Sequence, residues 1–182
     1  MTKTVKFLWN TVMNLILVVI VAMAVLLVGV RLVGLRPLVV LSGSMEPTYH
    51  VGSMIYVKSV DPETIEVGDP ITFLINEDLD MATHRVIEID AENQHFYTKG
   101  DANDAADGAP VHFNNLVGKP IFTIPKLGYV ANYIQNPPGT YIAIAGGAFL
   151  LMLVFLPDLF DDGNDKPKKK KKKDEETVSV AE

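Results

Sequence analysis

Cysteine is absent from the 182 residues. Thiol catalysis, disulfide bridges and cysteine-ligated zinc are therefore excluded. The compartment stays open, because a secreted domain of this size can fold without bridges. A basic surplus is also missing: 16 Lys and Arg stand against 22 Asp and Glu, a net charge of −6. That balance argues against nucleic acid as a partner, which calls for a basic face. No His-Glu-x-x-His sequence occurs, and the spacing of His50, His84, His95 and His112 outlines no zinc site. Neither a metal nor any other cofactor is expected. The length suits a single domain of ordinary size.

What is present is unevenly distributed. From Phe7 to Val30 run 24 residues without a charge. As a helix they would cover about 36 Å, enough to cross a hydrocarbon core of about 30 Å. Trp9 and Asn10 sit near the start, where an interfacial belt would lie. The competing reading is a cleaved leader, since Ala22-Met23-Ala24 is a small-x-small site; the apolar run, however, continues past it to Val30. A second run, Gly139 to Leu156, has 18 residues between Pro137-Pro138 and Pro157. At about 27 Å it is a short span, and a buried or interfacial helix is its alternative.

Charge sets the orientation. Seven lysines, Lys166 and Lys168 to Lys173, follow the second run, and Lys3 and Lys6 precede the first. The stretch 31–138 carries seven Lys/Arg and 14 Asp/Glu. The basic ends belong in the cytoplasm and the acidic middle outside. The resulting organisation is a cytoplasmic N-terminus (1–6), a transmembrane helix (7–30), an extracytoplasmic domain (31–138), a second transmembrane helix (139–156) and a Lys-rich cytoplasmic tail (157–182). The protein is expected in the cell membrane with two spans and the lipid bilayer as a partner.

The middle segment reads as mainly β. Met54 to Val60, Ile71 to Ile75, Ala82 to Ile89, Phe96 to Thr98 and Ile121 to Ile124 are rich in β-formers, and helical periodicity is missing. Residues 61–63, 76–80 and 101–110 read as loops. Short strands separated by turns suggest a compact, curled antiparallel sheet.

Three stretches carry chemistry. Leu41-Ser42-Gly43-Ser44-Met45-Glu46-Pro47-Thr48 places a serine on a tight turn after an apolar lead-in. Serine needs a base to act as a nucleophile, and without one the stretch is a polar loop. Thr83-His84-Arg85-Val86 sets an imidazole in a strand, where packing does not require it. Imidazole is the usual base for serine, although a lone strand histidine is more often structural. Lys99-Gly100-Asp101-Ala102-Asn103-Asp104-Ala105-Ala106-Asp107-Gly108 brings three carboxylates within seven residues. One of them would orient the imidazole; the alternatives are a solvated loop or a calcium site, and the latter lacks a closing Glu.

At these stretches the chain resembles the signal peptidase I family, in its archaeal and endoplasmic-reticulum-type (Ser-His-Asp) branch. Ser42-Gly43-Ser44-Met45-Glu46-Pro47 matches the nucleophile motif. His84-Arg85-Val86 matches the box where the common bacterial branch has lysine, and Lys99-Gly100-Asp101 matches the last box. The resemblance covers Leu38 to about Gly128 and the N-terminal anchor. It implies Ser44 as nucleophile, His84 as general base, Asp107 as the catalytic Asp, Asp101 as the supporting carboxylate and Ser42 as an oxyanion donor. The sequence departs from the usual pattern at Ala102 and Asp104, which flank Asn103, and at Ser53 after Gly52. The implied activity is cleavage of N-terminal signal peptides from secretory preproteins during export, with export machinery as an associate. A non-catalytic membrane adaptor on the same scaffold is the alternative; its signature would be loss of Ser44 or His84, and both are present. Ser44 lies 14 residues beyond Val30, so at most about 49 Å from that end of the first run.

Overall fold

A computed structural model describes residues 3–76 and 80–159. The N-terminal apolar run forms helix α1, Lys3–Leu27. An 18-residue window within Thr4–Leu27 has mean hydropathy 2.5, and none of it is buried by the rest of the protein. A long, largely apolar helix left mostly uncovered by the protein is suited to lipid. It ends at Leu27, three residues short of the end of the uncharged run. Gly29–Val33 then tighten into a 3-10 turn, and Gly34, at φ +80°, reverses the chain. Val30 therefore lies beyond the helix and is buried against the domain. The Tyr56 hydroxyl donates to the Leu26 carbonyl at 3.0 Å, satisfying one of the acceptors left open at the helix end.

Seven strands follow: β1 (Leu35–Val39), β2 (Met54–Lys58), β3 (Pro70–Leu74), β4 (Met81–Asp90), β5 (His95–Lys99), β6 (Val111–His112) and β7 (Leu116–Ile124). They form one sheet in the order β1-β2-β7-β3-β4-β5-β6, with every pairing antiparallel. The mainly β, curled domain behind an N-terminal apolar helix is as expected from sequence.

β7 makes the curl. Its second half pairs with β2, from Lys119 opposite Lys58 to Ile124 opposite Met54, while Leu116 and Gly118 pair with β3. Gly118 has φ +151°, and a Cβ there would lie 2.1 Å from the Lys58 carbonyl oxygen. Only glycine lets the strands approach so closely at this corner. Register shifts at Tyr56/Val57 and at Thr72/Phe73 bend the sheet on either side of it.

Each half has its own apolar core. Ile65, Ile71, Phe73, Val86, Phe96 and Val111 pack in one, and Ile55, Val57 and Val117 in another. Complete burial of a side chain such as Ile71 or Phe96 stabilises the fold by about 1.5–3 kcal/mol each. A third cluster, Val30, Met54, Tyr56, Leu127 and Ala131, joins the sheet to the end of α1.

Four features depart from the sequence reading. β1 forms through Arg36-Pro37, where only an apolar lead-in from Leu38 was expected. Pro37 is tolerated because β1 is the edge of the sheet. β7 begins five residues before Ile121. Helix α2, Leu127–Gln135, occupies a region expected to hold no helix. The second apolar run forms α3, Gly139–Leu159, rather than stopping before Pro157. The lysine tail lies outside the described residues.

Candidate active site

The nucleophile turn sits between the edge strand β1 and β2. It is held from several sides. Val40 N–H donates to Ser53 O and Gly52 N–H to Val40 O, both at 2.9 Å, closing the base of the loop. From the other side Ala102 N–H donates to the Ser44 carbonyl at 2.9 Å. Gly100 makes this approach possible: a Cβ there would stand 2.6 Å from the same Ser44 oxygen. Met45, buried at 2% exposure, anchors the turn in the domain.

β4 carries two functional side chains next to each other. Neighbouring residues of a strand point to opposite faces, so His84 and Arg85 serve different partners. His84 Nε2 lies 3.1 Å from Ser44 Oγ, and its Nδ1 lies 2.6 Å from Asp107 Oδ2. A carboxylate only accepts, so Nδ1–H donates to Asp107 and Nε2 is left to accept from the serine hydroxyl. Asp107 is itself fixed: Thr98 Oγ1 donates to Oδ2 at 2.6 Å, and Asp107 N–H donates to Thr98 O at 2.8 Å. The His84 and Asp107 side chains are only 15% and 21% exposed. Phe73 meets the imidazole edge-on with ring centroids 6.2 Å apart.

Arg85 forms the second network. Its Nε and Nη2 bind Asp101 Oδ1 and Oδ2 at 2.7 and 2.6 Å, a two-pronged pair. Nη1 donates to Gly68 O at 2.7 Å, and Nη2 also reaches Thr48 Oγ1 at 3.2 Å. Thr48 in turn donates to Asp101 Oδ2 at 2.5 Å. Arg85 thus ties β4 to the β3 entry, the nucleophile turn and the loop after β5. The Arg85 hydrogen bond holds the Asp101 carboxyl below the usual range; burial opposes this, and Thr48 reinforces it. The same bond raises Arg85. Burial pushes the nearby Tyr49 hydroxyl up.

The structure therefore joins Ser44, His84 and Asp107 in one hydrogen-bonded row and assigns Asp101 to Arg85 instead. Asp104 is exposed. Ser42 Oγ stands 3.4 Å from Ser44 Oγ. The other histidines lie elsewhere: His50 pairs with Glu46, and His95 meets His112 edge-on across β5 and β6. Among the described residues no group of three or more His, Asp or Glu side chains is placed to hold a metal ion. Two participants had no sequence assignment. In sequence Arg85 is only part of a motif, and Thr98, buried at 1% exposure in β5, is only part of a strand. Its signal was a hydroxyl on the inward face, two positions after Phe96.

Ser44 and His84 open onto a cleft of about 710 Å³ lined mainly by Leu38, Val40, Ile55, Met81 and Ala82, with Asp80, Thr83 and Asn103 supplying polar groups. The arrangement suits an extended apolar segment whose carbonyl carbon faces Ser44 Oγ.

The family described as signal peptidase, peptidase S26, matches residues 11–119. Signal peptidase I W of Bacillus subtilis (strain 168) is 38% identical over 122 residues, 61% of this chain and 63% of that protein. The signal peptidase complex catalytic subunit SEC11C of Homo sapiens is 28% identical over 126 residues, 63% of this chain and 66% of its own length. SEC11 of Zygosaccharomyces rouxii, also named a catalytic subunit of a signal peptidase complex, is 31% identical over 120 residues, 59% of this chain and 71% of its own. The matched region spans just under two thirds of the first two relatives. The family match takes in the nucleophile turn, β4 and the carboxylate loop, and on that extent the chain belongs to the signal peptidase (peptidase S26) family.

Proposed function

We propose that the protein is a membrane-bound serine endopeptidase that removes N-terminal signal peptides from secretory preproteins. The observation that carries this reading is the Ser44–His84–Asp107 row at 3.1 and 2.6 Å, opening into an apolar cleft beside a helix suited to lipid.

Ser44 Oγ attacks the scissile carbonyl carbon while His84 Nε2 takes the hydroxyl proton. Asp107 holds the imidazole in the required tautomer and stabilises the imidazolium. The negative charge on the carbonyl oxygen is met by the Ser44 backbone N–H and the Ser42 hydroxyl; a donor of this kind contributes about 3 kcal/mol in the transition state. His84 then gives its proton to the leaving amine, and water, deprotonated by the same imidazole, releases the acyl group. Asp101 supports the site through Arg85.

The relatives' names supply the substrate class, and SEC11C and SEC11 are named as subunits of a complex, which supports an association with export machinery. α1 crosses the bilayer with its N-terminus in the cytoplasm. α3, about 32 Å long at 1.5 Å per residue, crosses back, leaving residues 31–138 outside and the lysine tail inside.

The test is preprotein processing in detergent or proteoliposomes by wild type and Ser44→Ala. Processing should fall by roughly 10⁴-fold or more. Equal processing by both would favour the non-catalytic adaptor.

A further inference from the structure

α1 ends where the domain begins, and its last turns locate the membrane surface. Met23, Leu26 and Leu27 pack on the cluster that contains Leu127 and Ala131 of α2. Thr4–Leu27 is 24 residues, or about 36 Å, against a hydrocarbon core of about 30 Å, so its Leu27 end emerges at the outer boundary. α2 rests at that level. Its open side carries Val130 and Tyr133, 41% and 52% exposed, while the half-exposed Tyr129 ring lies over Gly52 of the loop that closes the nucleophile turn. Asn132 and Gln135, also exposed, lie on a separate flank. Tyrosine, with an apolar ring and a polar tip, favours the headgroup level. At the same height the 3-10 turn after α1 leaves Leu32 and Val33 at 92% and 73% exposure. The axes of α2 and α3 differ by 92°, so a span along the membrane normal lays α2 flat.

We propose that α2 is an in-plane helix of the outer leaflet, with Val130 and Tyr133 seated among lipid headgroups and the first methylenes. The proposal rests on the reading of α1 and α3 as spans. It has a consequence for the reaction site. The start of α2 is packed on the loop that closes the nucleophile turn: Tyr129 N–H donates to Gly52 O at 3.3 Å, and a Cβ on Gly128 would lie 2.6 Å from Ser53 O. The bilayer surface thereby fixes the height of Ser44, and with it which bond of an emerging segment reaches the hydroxyl.

The chain's lack of cysteine makes site-directed spin labelling direct. Tyr133→Cys, Val130→Cys, Asn132→Cys and, on α1, Val18→Cys are labelled singly in the full chain, checked for retained processing activity, and placed in phosphatidylcholine/phosphatidylglycerol nanodiscs. Collision with oxygen and with a water-soluble nickel chelate gives depth. The expected result is a label at Tyr133 and Val130 about 5–10 Å inside the headgroup boundary, with the Asn132 label more open to nickel and the Val18 label near the bilayer centre. Nickel access at Tyr133 and Val130 equal to that at Asn132, with Val18 still deep, overturns the in-plane helix alone. Nickel access at Val18 overturns the span and the proposal together.

Discussion

The hydrogen bond between His84 Nδ1 and Asp107 distinguishes three acidic side chains that look alike on paper. Asp107 is pinned by Thr98 through both a side-chain and a backbone bond, and Asp101 is taken up by Arg85. Asp107→Asn is expected to lower the processing rate by about 10⁴-fold, because an amide permits the wrong imidazole tautomer. Asp104→Ala should leave the rate unchanged and shift stability by no more than about 0.5 kcal/mol, as for an ordinary surface position. Rates and thermal melts of the two purified variants check this. Ser44 and His84 were legible in sequence because each sits in a short, distinctive stretch. The choice among the carboxylates was not legible from the residues themselves: three acids in seven residues all lie within reach, and only the path of the loop across Thr98 separates them.

Arg85 links β3, β4, the nucleophile turn and the loop after β5, and Lys119 of β7 pairs with Asp69 at 2.5 Å beside the β3 entry. Both carboxyls sit below their ordinary range in the folded protein. For Asp101 the Arg85 hydrogen bond is the main cause. For Asp69 burial pushes upward, and the bonds from Lys119 and Glu66 N–H outweigh it. A depressed folded pKa means a contribution that is complete above the unfolded carboxylate value and lost as pH falls through the lower folded value. Wild type should therefore lose stability in acid, starting near about pH 4 and continuing below it. Asp101→Asn should be less stable at neutral pH and show a flatter decline. Melting temperatures across the acid range in detergent decide it; parallel curves would count against the Arg85–Asp101 tie. The strands rich in Val, Ile, Thr and aromatics were readable. β1 was hidden by Arg36-Pro37, which looks like a break unless the strand is known to be an edge. α2 was hidden because Gly128, two tyrosines and a valine give a short segment little helical character, and its stability comes from Leu127 and Ala131 packing on α1 and β2.

Anchoring and chemistry belong to one design. The end of α1, the 3-10 turn, β1 and the nucleophile turn follow in direct succession, so the chain itself limits how far Ser44 stands from the bilayer. If α3 returns the chain across the membrane, the lysines at 166–173 are cytoplasmic, and protease added outside intact cells should leave the tail uncut while cleaving it after permeabilisation. Cleavage in intact cells would reverse the orientation or remove the second span. The apolar runs made two crossings legible as an expectation, but not where α1 gives way to the domain. Val30 belongs to the uncharged run by composition and to the protein core by packing.

The central claim is that Ser44 and His84 act as a single unit. Processing rates of Ser44→Ala, His84→Ala and the double variant test it most directly. The expected result is three rates of similar size, all far below wild type, because removing one member already removes what the other contributes. Losses that multiply in the double variant, or a single variant as fast as wild type, would contradict it.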